Sequence, residues 1–150
     1  MNITLDADIL FNAVSDHATK TLLHHLVNAG HSLFVPLTVL GEVMLVSLTR
    51  DDKHEAIHDI IYLCRELSIK FQIPSQKLRQ CCMCIDDVDK HNRLQFTDKT
   101  HLGYASASAS DYFLTTDKLL RRFRYPCETV DGCGSAPVCI SPDEMRELLW

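Results

Sequence analysis

Short apolar runs recur along this chain, and between them apolar residues repeat with a helical period. The runs are "NITLD" at 2–6, "SLFVP" at 32–36, "KFQIP" at 70–74, "YFLTT" at 112–116 and "CETV" at 127–130. Runs of this length are strands, and strands that alternate with helices build a parallel sheet. The expected fold class is therefore α/β, a central parallel sheet of four to five strands with helices on both faces. In such sheets ligands bind outside the carboxyl ends of the strands.

The helical stretches have readable faces and stops. Ala18, Leu22, Leu23, Leu26 and Val27 share one face, and Gly30 suits the position after the helix end. Residues 37–48 repeat helically with Glu42 set inside "VLGEVMLV", where an uncompensated buried charge is costly. A charged, histidine-bearing helix is expected over 52–68, with Ile57, Ile60, Ile61, Cys64 and Leu67 inward. Further helices are expected over 75–87, from Asp98 through "ASASAS", and at "KLLRRF". Ser141, Pro142 and Glu144 read as N-cap, first-turn proline and capping-box acid of a last helix reaching Leu149.

At 150 residues the chain reads as one domain, long enough to bury roughly 70% of its unfolded surface. No stretch approaches the roughly 20 apolar residues that span a bilayer. The opening "MNITLDADIL" lacks a basic n-region and carries two acids, which predicts a cytoplasmic protein without a signal peptide. A net charge of −5 gives no global basic field, so any nucleic acid must meet a local surface or bridging metal ions. Seven cysteines without an export signal are expected as thiols. Cys81 and Cys84 form a C-x-x-C inside a helix, and Cys127, Cys133 and Cys139 are six apart, so no second metal pair exists. Buried, inert cysteines are the expectation there.

Acids collect near strand ends. Asp6 ends the first strand and Asp8 follows it. Glu42 lies in the helix after the second strand, Asp98 opens the helix before the fourth, and Asp117 follows the fourth. Asp8, Asp98 and Asp117 have a plain structural explanation as helix caps, whereas Glu42 within its apolar stretch does not. A parallel sheet nonetheless brings them to one edge, where converging carboxylates repel unless a hard cation sits between them. Mg²⁺ or Mn²⁺ suits such an oxygen set and lowers the pKa of bound water. Lys118, Arg121, Arg122 and Arg124 are the dense basic run beside Asp117, suited to phosphates or to a solvated helix face. His101 lies one turn after Asp98, with packing or hydrogen bonding as its expected role. Asp111 reads as a turn residue at the opposite end.

Four segments carry a resemblance. "ITLDADIL", "FVPLTVLGEVM", "FTDKTHLGYASA" and "DYFLTTDKLL" stand in the order and at the separations of the PIN domain, a metal-dependent ribonuclease fold. The chain resembles that family over nearly its whole length, with no matching motif over residues 51–92. The resemblance implies an endoribonuclease hydrolysing RNA phosphodiesters with metal-activated water and Mg²⁺ or Mn²⁺ as cofactor. Asp6, Glu42, Asp98 and Asp117 would be its metal-site acids, and Thr115 would hydrogen-bond a carboxylate or water. It further implies the toxin of a type II toxin–antitoxin pair of VapC type, with an antitoxin partner and a homodimer.

Two rivals stand beside it. "LDADIL" also begins haloacid-dehalogenase-type phosphatases, with Asp6 as nucleophile, Asp8 as acid/base and Thr38 near phosphate. That assignment leaves Glu42 and Asp98 without work. The other rival is a binding module that keeps the fold without the chemistry.

Overall fold

A computed structural model describes residues 1–125 and 136–150. Strand β1 (Asn2–Leu5) leads into α1 (Ala7–Ser15) and α2 (His17–Asn28). Strand β2 (Ser32–Pro36) leads into α3 (Leu37–Thr49), a 3₁₀ turn (Asp51–Lys53) and α4 (Ala56–Glu66). Strand β3 (Lys70–Gln72) precedes α5 (Gln76–Val88) and α6 (Phe96–Ala107). Strand β4 (Tyr112–Leu114) precedes α7 (Lys118–Arg122), and β5 (Val138–Ile140) precedes α8 (Pro142–Leu149).

The five strands pair in the order β3-β2-β1-β4-β5, and every pairing is parallel. The expected fold class holds: a three-layer α/β/α fold, PIN-like in arrangement. Alternation along the strands divides the core in two. Ile3, Leu5, Leu33, Val35, Leu114 and Ile140 join Leu22, Leu26, Val39 and Ile60 on one face. Phe113 and Cys139 point the other way, against Ile85 of α5 and Leu102 and Ala105 of α6. Both faces are covered, as a parallel sheet requires. Strand order reverses between β1 and β4, so the crevice suited to a ligand opens beyond Leu5 and Leu114.

Several expectations change. The "CETV" strand lies outside the described residues, and the fifth strand is instead "VCI", paired with β4. The segment after β1 holds two helices, separated at Asp16, which caps α2 through Ala18 and Thr19. The helix expected from residue 52 starts at Ala56, because the 3₁₀ turn takes up Asp51–Lys53. Ile61, expected inward, is 55% exposed on α4. The capping box of Ser141 and Glu144 is present at α8. Among the described residues, no helix is long and apolar enough to cross a membrane.

Candidate functional site

The register of the central pair sets up the site. Leu5 stands beside Leu114, so the next residues, Asp6 and Thr115, are also neighbours. The ladder continues one step further, with Asp6 N–H donating to the Leu114 carbonyl at 3.0 Å. Asp6 then caps α1: its Oδ1 accepts from Ala7 N–H at 2.9 Å. Its Oδ2 accepts from the Thr115 hydroxyl at 2.7 Å. Thr115 is fully buried, and its Oγ1 also accepts from Asp117 N–H at 3.1 Å. One threonine thus ties the ends of both strands together.

Asp117 caps α7 through Leu119 and Leu120 N–H. Asp98, in the first turn of α6, accepts from Gln95 N–H at 3.3 Å in a capping box. Of the N-caps expected at Asp8, Asp98 and Asp117, only Asp117 is one: Gln95 is the N-cap of α6 with Asp98 as its capping-box acid, and Asp6 rather than Asp8 caps α1. Carboxylates at helix N-termini are favoured by the exposed N–H groups there. A cap therefore fixes an acid at the strand edge at little cost.

Glu42 reaches the same place from α3. It is not the deeply buried charge its apolar surroundings suggest: its side chain is 41% exposed. The reason is that α3 buries only Val39, Val43 and Ser47, whereas Met44, Leu45 and Leu48 face outward. Burial raises the Glu42 pKa, His101 opposes that rise, and the charges of Asp6 and Asp98 add to it. Asp98 is also raised, chiefly by burial, against the Gln95 hydrogen bond and with help from Asp6 and Asp117. The charges of Asp6 and Asp98 thus reach Glu42, and those of Asp6 and Asp117 reach Asp98, at the carboxyl edge of the sheet.

His101 sits among them. It is 1% exposed, with Nδ1 3.4 Å from Asp6 Oδ1 and Nε2 3.7 Å from Glu42 Oε2. Neither separation is a hydrogen bond, and both ring nitrogens are otherwise without a partner. The sequence sets this histidine near the same edge, with packing or hydrogen bonding as its expected role beside help in proton transfer. The only signal for more was its spacing, one helical turn beyond Asp98 and so on the same face.

A second brace was also missed. Asp8 Oδ2 accepts from Thr116 N–H at 2.7 Å and from the Thr116 hydroxyl. Burial, and then the charge of Asp6, raise Asp8 from 3.8 to about 6 against those hydrogen bonds. The paired threonines after β4 thus hold one acid each, Thr115 holding Asp6 and Thr116 holding Asp8. Asp111, by contrast, accepts from Asn2 N–H at 2.7 Å at the other end of the sheet, as expected of a turn residue there.

The donor set is all carboxylate oxygen apart from one imidazole, which suits Mg²⁺ or Mn²⁺ in kind. Among the described residues, no three His, Cys, Asp or Glu side chains already stand close enough to enclose an ion. Burial pushes the Cys64 thiol up to about 11 and Cys139 up to about 12, against any nucleophilic role. Cys127 and Cys133 lie outside the described residues.

No protein-family model matches the chain, and no curated protein matches its sequence. Solved structures do match in fold. The structure of VapBC2 from Rickettsia felis, bound to a DNA fragment from their promoter, aligns with a TM-score of 0.73 at 14% identity. That match covers 94% of this chain and 98% of the other. VapBC-1 from nontypeable Haemophilus influenzae aligns with a TM-score of 0.60 at 14% identity, over 78% of this chain and 87% of that one. Identity this low carries the fold and not the activity.

Proposed function

We propose that this chain is a metal-dependent endoribonuclease, the toxin member of a type II toxin–antitoxin pair. The observation that supports the reading is that Asp6, Glu42, Asp98 and Asp117 come from four separate elements, with the charges of Asp6 and Asp98 felt at Glu42 and those of Asp6 and Asp117 felt at Asp98. A fold shared with the VapBC structures supports it.

On this reading Asp6, Glu42 and Asp98 hold Mg²⁺ or Mn²⁺, with Asp117 completing the set directly or through water. The bound cation supplies positive charge for the phosphodiester and lowers the pKa of water. Thr115 and Ala7 N–H fix the orientation of the Asp6 carboxylate. Lys118, Arg122 and Arg124 are exposed just beyond Asp117 and can neutralise flanking phosphates. Exposed Met44, Leu45 and Leu48 on α3, with Ile61 and Tyr62 on α4, give an apolar surface for an antitoxin or a second copy.

Cleavage of RNA by the purified chain tests the reading. Activity is expected with Mn²⁺, is lost on chelation, and falls at least ~100-fold in Asp6→Asn and Asp98→Asn. No cleavage with either cation favours the binding module. Loss in Asp8→Asn with Glu42→Gln tolerated favours the phosphatase, although Asp8 is already engaged as a brace for Thr116.

A further inference from the structure

His101 stands apart from every other buried polar group near the site. Its two ring nitrogens face two acids from different elements, Asp6 after β1 and Glu42 in α3. Its own helix, α6, carries the third acid, Asp98, one turn earlier. One imidazole thus touches or travels with three of the four carboxylates. Asp6 has other supports, in Ala7 N–H and Thr115. Glu42 has less: among the described residues, its carboxylate approaches the His101 imidazole at 3.7 Å. A glutamate on a half-exposed helix face keeps three rotatable bonds unless something restrains it.

We propose that His101 is a positioning residue that holds the Asp6 and Glu42 carboxylates in register across the site and so sets its affinity for a divalent cation. The inference rests on the metal-site reading above. Nδ1 lies nearest Asp6 and Nε2 nearest Glu42, the placement that a bridge between the two acids would use. Groups that orient metal-binding carboxylates without touching the ion typically govern affinity by 10–100-fold.

The test is Mn²⁺ affinity, measured by the loss of the free-ion electron paramagnetic resonance signal, with melting of the cation-free protein as a control. His101→Leu is expected to bind Mn²⁺ about tenfold more weakly or worse. His101→Gln is expected to recover part of that loss, because its amide still donates to one carboxylate. Spin-echo spectra of Mn²⁺ on the unsubstituted chain are expected to show no directly bound nitrogen. An affinity in His101→Leu within about twofold of the unsubstituted chain overturns the inference. So does imidazole nitrogen bound to the ion. Should His101→Leu fail to fold, His101→Gln decides, and an unchanged affinity there overturns the inference as well. If the unsubstituted chain takes up no Mn²⁺, the metal-site reading falls first and this inference with it, which separates the two failures.

Discussion

Asp8 shows how single residues at this edge carry opposing demands. Its carboxyl is raised to about 6 by burial and by Asp6, while Thr116 hydrogen-bonds the ionised form. A carboxyl raised above its unfolded value makes the folded chain the stronger proton binder between about pH 4 and 6. Stability then falls as pH rises through that window, and the full penalty is present above it. Asp8→Asn keeps an oxygen for Thr116 and removes the charge. In chelator it should be more stable than the parent by on the order of 2 kcal/mol at pH 7.5, with the difference gone below pH 4. Denaturant melts at the two pH values check this, and a pH-independent difference contradicts it. Asp6, Asp98 and Asp117 were legible in the sequence because each ends or opens an element, where caps and ligand sites coincide. The Asp8–Thr116 brace and the approach of His101 to Asp6 and Glu42 were not, although the sequence set His101 near that edge. Both depend on which side chains two distant segments bring into contact, which periodicity does not encode.

Elements position these residues, and α6 depends on how closely it approaches α5. Gly103 makes that approach possible: a Cβ there would meet Cys82 Sγ at 2.6 Å and Leu78 Cδ1 at 3.2 Å. Alanine is worth about 1 kcal/mol over glycine in a helix, yet overpacking costs about 1–3 kcal/mol. Gly103→Ala should therefore destabilise the chain, and the same change in a Cys82→Ala background should be neutral or favourable. Equal effects in both backgrounds would show that the contact does not govern the packing. The alternation of strands and helices revealed the layered fold, but some elements stayed hidden. "VCI" is three residues long and abuts a capping box, too short to show a strand period. α3 is apolar all round, so its sequence cannot say that only Val39, Val43 and Ser47 face the core.

Across the whole molecule, an all-parallel sheet ordered β3-β2-β1-β4-β5 carries an acidic edge at its point of reversal. The sheet supplies the place, the helix caps fix three of the acids, and α3 brings the fourth. The fold is shared with the VapBC structures at 14% identity, so the chemistry has to be tested at the edge itself. Anomalous diffraction from crystals soaked in Mn²⁺ does this most directly. A peak bounded by carboxylate oxygens of Asp6, Glu42 and Asp98 is the predicted result. A fully soaked crystal with no peak there, or with its strongest peak at the separate acidic cluster of Asp51, Asp52, Glu55 and Asp59, contradicts the account.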